Sequence, residues 1–425
     1  MGKTKKAAKK TQAKQPQPQP HGHHHQHSQE CCHSHDANTG MPVEGDQERE
    51  EEEHFKSILI SFLEFTRSSH IVVEKGRNHF SRLPPHQRAL VPDYEAKIGV
   101  LHDAVRENDA FIRRVVSTNW GVFGGLGLPQ QDSDYAVLKS TLSPNNRRLS
   151  ESEYYIDKVR STFASIARDW SSEGAAERRI CYGPLLEALE KRWPTPESRE
   201  GVRVLTPGAG LGRLTYEVAR MGFSSQGNEF SFFMLIVSSF ILNNTQRAEE
   251  FTIHPYVRGS LNLLSAADRP RAIKIPDVCP GEADSGRMDM SMTAGDFLEV
   301  YTSEENEAQW GAVVSAFFID TAHNIFDYID AIRYMIKPGG IWVNLGPLLY
   351  HFSDMADEFS VDLAWDEVRA AIEKSGFKIK EERIIEGCPY TANVRSLFQV
   401  RYNCIYFVAE RDDSPAPRPT PMIFN

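Results

Sequence analysis

The chain has 425 residues, of which 40% are hydrophobic and 25% charged, and its formal net charge is −10. This composition is typical of a protein with a packed core and excludes fibrous, collagen-like and disulfide-stapled classes. The acidic balance argues against a broad nucleic-acid surface, because phosphate binding needs clustered positive charge. The six cysteines form no CxxC pair and are typical of free thiols in a reducing compartment, so we expect a cytoplasmic protein.

Residues 1–53 form a polar head that differs from the rest of the chain. They contain seven of the fifteen histidines and, after Met1, two residues of the Val/Leu/Ile/Phe/Trp/Met set. Such a stretch buries too little apolar surface to offset its ordering entropy, so we predict disorder. The lysines of residues 3–10 fit either a nuclear address or a solvated tail. Histidines and cysteines at 21–35 lack the spacing of a closed zinc site, and we predict no metal site.

Residues 54–170 are predicted to be helical. An apolar stripe at i, i+3, i+4 spacing runs through residues 55–65, a Pro84-Pro85 break follows, and residues 94–116 and 154–170 form further amphipathic stretches. These helices carry more apolar surface than an isolated hairpin could bury. We therefore expect them to pack on the following domain or on a second copy of the chain, and we favour a homodimer.

After Pro194, short apolar runs alternate with helical stretches, which is the pattern of an open α/β sheet. The predicted strands are residues 202–206, 312–319, 341–345, 378–385 and 404–408. The apolar run 230–242 is interrupted by serines and too short for a membrane span, so we predict a buried helix and no membrane segment. We divide the chain into a head (1–53), a helical region (54–170), an α/β domain (171–411) and a Pro-rich tail (412–425).

The most specific motif is a glycine-rich loop between a predicted strand and a predicted helix. Gly208, Gly210 and Gly212 leave bare backbone where a ligand can approach closely. Glu229 follows at the expected end of the second strand, where its carboxylate can accept two ribose hydroxyl hydrogens. The spacing is G-x-G-x-G, since Arg213 stands where the dinucleotide fingerprint has its third glycine. Together these features favour an adenosine-type ligand over a purely structural turn.

A second candidate ligand contact is the pair Asp296-Phe297. The carboxylate could accept a hydrogen bond from an adenine amino group while the ring covers a base face. The alternative is an ordinary helix N-terminal turn.

The order of these motifs, with Lys337-Pro-Gly-Gly340 and two closing strands, resembles class I S-adenosylmethionine-dependent methyltransferases. The resemblance implies a Rossmann-like sheet of seven strands that ends in an antiparallel hairpin, here with an N-terminal helical extension. More narrowly, four blocks between residues 54 and 410 are similar to the carnosine N-methyltransferase family. They are PGAGLGR (207–213), GNEFSFFML (227–235), FFIDTAHN (317–324) and GGIWVNLGPLLYHF (339–352).

The resemblance implies an enzyme that uses S-adenosyl-L-methionine to methylate the imidazole of a histidine-containing dipeptide, converting carnosine to anserine. The positions implied to contact the methyl donor are Arg168, Gly208, Gly210, Glu229, Asp296, Phe297 and Ala316. Those implied to line the substrate pocket are Asp320, His351, Tyr390 and Tyr402. Ser165 stands where the family can carry Gln, and Ala316 stands where it can carry Cys. Both departures would reduce the contacts to the methyl donor.

Methyl transfer to imidazole is an in-line displacement by a neutral ring nitrogen, so no strong base is required. The site must fix the tautomer, align the ring and place negative charge beside it. Asp320, after the predicted strand 312–319, is the candidate for this catalytic role, and the alternative is a cap on the next helix.

Two other functions remain open at this stage. One is methylation of histidine in a protein or of another small imidazole, and the other is a cofactor-binding scaffold without activity.

Overall fold

The computed structural model describes residues 44–120, 139–282 and 288–421. The lysine segment 3–10 and the His/Cys patch 21–35 lie outside the described residues. The α-helices are α1 (Glu44–Ser81), α2 (Pro85–Arg88), α3 (Tyr94–Trp120), α4 (Pro144–Glu151), α5 (Glu153–Trp170), α6 (Ala175–Cys181), α7 (Gly183–Arg192), α8 (Pro196–Arg199), α9 (Arg213–Arg220), α10 (Phe232–Asn244), α11 (Phe297–Tyr301), α12 (Ile325–Met335) and α13 (Trp365–Lys374). The strands are β1 (Arg203–Pro207), β2 (Ser224–Glu229), β3 (Phe251–Ile253), β4 (Ile273–Ile275), β5 (Met290–Ala294), β6 (Trp310–Ala316), β7 (Ile336–Gly346), β8 (Phe377–Pro389) and β9 (Arg401–Arg411).

Seven of these strands form one sheet in the order β5-β2-β1-β6-β7-β9-β8. The first five pair in parallel, whereas β9 is antiparallel to both β7 and β8. The predicted seven-stranded sheet with a closing antiparallel hairpin is thereby confirmed. A separate two-stranded sheet of β3 and β4 was not predicted.

The parallel strands bring their carboxyl ends to one edge of the sheet. Pro207 at the end of β1 is paired with Asn228 in β2, and Glu229 is paired with Ala294 at the end of β5. Ala316 at the end of β6 is paired with Leu345 near the end of β7. Open α/β sheets bind ligands at this edge, and most of the predicted site residues follow one of these strand ends.

The N-terminal helices pack on α10 within the same chain. The ring centroids of Phe111 in α3 and Phe240 in α10 are 5.8 Å apart, and those of Phe62 in α1 and Phe233 in α10 are 5.9 Å apart. These side chains belong to one buried cluster that includes residues of α5. The intramolecular packing is confirmed, and so is the buried helix predicted for residues 230–242. None of the helices in the described ranges is both long and apolar enough to cross a membrane.

The predicted disorder of the head is wrong for residues 44–53, which form the start of α1. The carboxylate of Glu53 accepts hydrogen bonds from the backbone N–H of Ser143 (3.3 Å) and from the side chain of Asn146 (3.1 Å). Glutamates are good helix formers, and this polar stretch is continuous with a part of α1 that is buried. The absence of apolar residues therefore did not prevent helix formation.

The limits of the five predicted strands shift by one to five residues in the structure, and the shifts at β6 and β7 are the ones beside the candidate site. β6 ends at Ala316 rather than at residue 319, because Phe317 adopts a left-handed φ of +53° that turns the chain out of the sheet. β7 begins at Ile336, five positions before the predicted residue 341, and its pairing with β6 is irregular between Trp310 and Ala312.

Candidate active site

The glycine loop between β1 and α9 needs its glycines for two reasons. Gly208, Gly210 and Gly212 have φ values of +61°, +55° and +77°, a region that side chains rarely adopt. In addition, a Cβ on Gly208 would lie 2.8 Å from a ring carbon of Phe318. At these three positions the loop therefore places backbone without a side chain at the ligand edge of the sheet.

Glu229 ends β2 directly beside this loop. Its Oε2 accepts a hydrogen bond from the N–H of Gly210 (2.6 Å), and its Oε1 accepts from the N–H groups of Phe230 (3.0 Å) and Ser231 (2.9 Å). These three bonds from backbone N–H groups fix the orientation of the acid at the ligand edge of the sheet.

Asp296 is the N-cap of α11. Its Oδ1 accepts hydrogen bonds from the N–H groups of Leu298 (2.8 Å) and Glu299 (3.1 Å), which is the helix N-terminal turn considered as the alternative. The ring of Phe297 is 3% exposed and lies against the rings of Phe318 and Tyr328, with centroids 5.2 Å away in both cases. It is therefore part of the core and offers little surface to a base.

The end of β6 connects the glycine loop with the aromatic residues of the predicted pocket. The ring of Phe318 packs beneath Gly208. The ring of Phe317 instead contacts Tyr390, with a centroid distance of 4.7 Å, and lies 6.4 Å from that of Tyr402. Two consecutive residues thus join the two halves of the candidate site.

Asp320 lies in a short 3-10 turn, Ile319–Thr321, and is 2% exposed. Its Oδ2 accepts a hydrogen bond from the N–H of Leu349 (2.9 Å), and its backbone carbonyl accepts from the N–H of His351 (3.0 Å). Burial raises the pKa of Asp320 to about 6, while the bond from Leu349 opposes the rise.

The helix-cap alternative for Asp320 is wrong. The N-cap of α12 is Asn324, whose Oδ1 accepts a hydrogen bond from the N–H of Phe326 (3.1 Å). The carboxylate of Asp320 is instead buried between the turn after β6 and the segment after β7.

His351 follows β7 and is held next to Asp320 by the backbone bond between them. Tyr350 before it has a left-handed φ of +47°, and its hydroxyl donates to the carbonyl of Leu363 (2.6 Å). Burial, with a contribution from the charge of Lys158, lowers the pKa of His351 to about 4, so the ring is neutral at neutral pH. Its Nδ1 is buried and has no hydrogen-bond partner in the described part of the chain.

Arg168, near the end of α5, lies between the glycine loop and the aromatic residues. Its Nε and Nη2 donate to the two carboxylate oxygens of Asp169 (2.8 and 2.7 Å), and Asp169 also accepts from the hydroxyl of Tyr182 (2.8 Å). The guanidinium carbon is 5.5 Å from the ring centroid of Tyr390, and Nη2 is 3.9 Å from the place of a Cβ on Gly210. Asp169 and Tyr182 were missed in the sequence, because neither stands in a recognisable motif.

Tyr390 and Tyr402 meet because β8 and β9 pair as a hairpin. Their ring centroids are 6.5 Å apart, and Tyr402 is paired with Cys388 in the register. Together with Phe317 they form one aromatic wall. Ala316 stands at the end of β6 and packs against the cluster formed with β7 and β9, and Ser165 is buried on α5.

A buried group of charges joins the start of α9 to the helices before it. Nη1 of Arg213 donates to Oδ1 of Asp277 and to the carbonyl of Asp169, both at 2.6 Å. Nη2 of Arg178 donates to Oδ2 of the same Asp277 (2.5 Å), and its Nη1 donates to the carbonyl of Arg168 (2.5 Å). The arginine that replaces the third fingerprint glycine thus anchors the loop. No cluster of three or more His, Cys, Asp or Glu side chains suited to a metal ion occurs within the described ranges.

Comparisons with known proteins identify the family of the chain. The sequence model of a family described as carnosine N-methyltransferase matches residues 145–413. The chain is 37% identical to carnosine N-methyltransferase of Rattus norvegicus over 379 residues, which cover 88% of this chain and 91% of that protein. It is 32% identical to the protein of the same name from Schizosaccharomyces pombe, over 86% of this chain and 98% of that one.

Solved structures share only a distant likeness with the chain. A putative S-adenosylmethionine-dependent methyltransferase from Listeria monocytogenes is 12% identical, with coverage of 54% of this chain and 99% of that chain and a TM-score of 0.33. That similarity is too low to carry an argument.

Proposed function

Since this chain belongs to the carnosine N-methyltransferase family, we propose that it transfers the methyl group of S-adenosyl-L-methionine to the imidazole ring of carnosine and so forms anserine. The observation that carries the proposal is the position of Asp320. Its carboxylate is buried at the ligand edge of the sheet, between the turn after β6 and the segment that carries His351, and does not cap α12.

Asp320 fixes the imidazole and stabilises the charge that develops on it. The carboxylate accepts the N–H of one ring nitrogen, which leaves the lone pair of the other nitrogen for the methyl group. As the new N–C bond forms and the bond from the methyl group to the sulfonium sulfur breaks, the ring would become cationic, and a fixed negative charge in a buried site would stabilise that change strongly. Loss of the N–H proton beside Asp320 would then give the neutral methylated ring. A neutral His351 adds no competing positive charge, and its unpaired Nδ1 is suited to a hydrogen bond with the dipeptide.

The residues around the glycine loop fit the methyl donor. Left-handed Gly208 and Gly210 expose backbone, and the oriented carboxylate of Glu229 lies beside them. Glu229 would hold the ribose hydroxyls, and Arg168 would approach the donor from α5. When bound there, S-adenosyl-L-methionine supplies an electrophilic methyl group on a sulfonium. Phe317, Tyr390 and Tyr402 exclude water from the dipeptide and orient its ring.

The proposal is tested by incubating the full chain with labelled methyl donor and either carnosine or a library of histidine-containing peptides. Mass spectrometry should show one added methyl group on carnosine and little label in the peptides. Label in longer peptides with none in carnosine would replace the proposed function by histidine methylation in proteins. If no imidazole compound were labelled, the remaining function would be that of a cofactor-binding scaffold without activity.

We also propose that the chain forms a homodimer. Supporting it are exposed apolar side chains in and between α1 and α3, with Ile71, Leu90 and Val100 exposed by 60%, 79% and 51%. Large exposed apolar patches mark interaction sites. Light scattering should give about twice the chain mass of 48.1 kDa, and Leu90→Asp should shift the mass toward the monomer. A monomer mass for the unaltered chain would contradict the homodimer.

A further inference from the structure

Two side chains of α6 bond to the segment that carries Tyr390: the thiol of Cys181 donates to the carbonyl of Pro389 (3.5 Å), and the buried carboxylate of Glu177 bonds to the backbone beyond the ring. Glu177 is 8% exposed, and its Oε1 accepts a hydrogen bond from the N–H of Thr391 (2.6 Å), while its Oε2 accepts from the N–H of Ala392 (3.0 Å). Both donors follow Tyr390 directly. The carboxylate therefore grips the backbone next to the ring that faces Arg168 and Phe317.

The backbone at this point does not hold its shape by itself. β8 ends at Pro389, and Thr391 has a left-handed φ of +46°, a conformation that a β-branched residue rarely adopts. Such a conformation persists when the surrounding structure over-determines it. The two hydrogen bonds to Glu177 supply that restraint, because they fix the orientation of two successive peptide groups.

The far end of the same segment is tethered to another part of the chain. The N–H of Leu397 donates to the carbonyl of Asn262 (2.8 Å), and the guanidinium of Arg395 lies 3.4 Å from the carboxylate of Asp268. These contacts lie five or more residues beyond Tyr390. Between the two ends, Nη2 of Arg271 donates to Oδ1 of Asn393 (3.1 Å). Glu177 thus holds the two peptide groups directly after Tyr390, and other parts of the chain hold the segment from residue 393 onward.

We propose that Glu177 is a positioning residue, which holds Tyr390 in the aromatic wall and thereby sets the affinity of the enzyme for the dipeptide. It acts through the backbone of Thr391 and Ala392 and touches neither substrate nor donor. The inference rests on the proposed function, since the dipeptide is the ligand whose affinity is set.

Glu177→Gln tests this, because the amide keeps the size of the side chain but can accept only on its oxygen. We expect the KM for carnosine to rise about 10- to 100-fold, because a charged hydrogen-bond acceptor is lost. The kcat should stay within about 3-fold and the affinity for S-adenosylhomocysteine within about 2-fold, because the two hydrogen bonds of Glu177 go to the backbone after Tyr390 and not to the glycine loop. Glu177→Asp, which keeps both oxygens, should restore part of the affinity. Glu187→Gln, at an exposed position on α7, is the matched control and should behave as the unaltered chain.

Calorimetry with S-adenosylhomocysteine gives the fraction of chains that are folded and can bind the donor. The kinetic constants of a partly unfolded variant are corrected with that fraction. In a Tyr390→Ala background, Glu177→Gln should raise KM by no more than about 3-fold further, because the ring that it positions is gone. Additive effects, or an unchanged KM, would overturn the inference.

A readout without turnover separates this inference from the proposed function. Arg395, whose side chain is 56% exposed, is a trypsin site within the tethered segment. In Glu177→Gln, cleavage after Arg395 should be at least about 10-fold faster than in the unaltered chain and in Glu187→Gln, since loss of the anchor favours local opening. If the unaltered chain left carnosine unmethylated, the proposed function would fall, and the cleavage rates alone would decide whether Glu177 holds the segment.

Discussion

At Asp320, the needs of the fold and the needs of the chemistry oppose each other. The carboxyl is 2% exposed, and burial raises its pKa from 3.8 to about 6. In a buried position the ionised form is disfavoured, yet the proposed reaction needs that form. The protein therefore carries a charge that weakens its fold at neutral pH.

Removing the charge should make the protein more stable. Because the pKa is higher in the folded than in the unfolded chain, the wild type loses stability as the pH rises from about 4 through 6. At pH 7, Asp320→Asn should unfold with a free energy up to about 3 kcal/mol higher. The difference should shrink toward zero near pH 4. Urea unfolding at both pH values measures this, and a variant that is less stable than wild type at pH 7 would contradict it.

The same substitution should nearly abolish turnover. Loss of the negative charge beside the developing imidazolium should cost about 2–4 kcal/mol in the transition state, or roughly 30- to 1000-fold in kcat. Affinity for S-adenosylhomocysteine should stay unchanged, because the carboxylate faces the ring and not the nucleoside. Steady-state kinetics with carnosine and calorimetry with S-adenosylhomocysteine check the two parts. Turnover within a few-fold of wild type would move the catalytic role elsewhere.

Glu229 should affect donor binding instead. Glu229→Ala removes a charged acceptor for ribose hydroxyls and a partner of the Gly210 N–H, worth roughly 1.5–3 kcal/mol. The affinity for S-adenosylhomocysteine should fall about 10- to 100-fold. Glu229→Gln keeps one acceptor oxygen and should lose less. Equal affinities in calorimetry would show that the acid does not hold the ribose.

Among the elements, α1 begins ten residues before the boundary that composition suggested. Glu53 fastens its first buried turns to the N-terminus of α4 through Ser143 and Asn146. The acidic residues before His54 are thus part of the folded structure.

Two truncations separate the head from the start of α1. A chain beginning at Glu44 should keep its thermal midpoint and its rate within about 2-fold. A chain beginning at His54 should lose about 1–3 kcal/mol, because the charged partner of two α4 donors is gone. Thermal unfolding and carnosine turnover of both chains measure the difference. A large loss in the longer truncated chain would assign a role to residues 1–43.

The contact between α9 and the N-terminal helices should be equally sensitive. Asp277 neutralises Arg178 and Arg213, whose side chains are 10% and 5% exposed. Asp277→Ala would leave two buried cations without their shared partner and should destabilise the fold by about 3–5 kcal/mol. Asp277→Asn should cost less. Chemical unfolding of the two variants ranks them, and a stable alanine variant would show that Asp277 is not needed.

Across the whole molecule, elements with a local sequence pattern could be predicted, whereas contacts between residues far apart in the chain could not. The glycine loop and Glu229 lie within 22 residues of one another, and β1, α9 and β2 carry ordinary helix and strand signals, so their arrangement follows from the sequence. Strands β3 and β4 have three residues each, too few for a periodic pattern. Glu177 meets Thr391 across 214 positions of chain, and no motif marks a carboxylate whose partners are backbone N–H groups.

The contacts at the end of α5 limit where the chain can be divided, both in engineered chimeras and during evolution. The boundary placed between residues 170 and 171 separates Arg168 and Asp169 from the loop that they support, and the indole N–H of Trp170 donates to the carbonyl of Leu211 within that loop (3.1 Å). A chimera that joins residues 171–411 to a foreign N-terminal segment would therefore lack Arg168 and Asp169 beside its donor site. A transplantable cassette must therefore include α5, and insertions tolerated during divergence are expected before Glu153 rather than at Ser171.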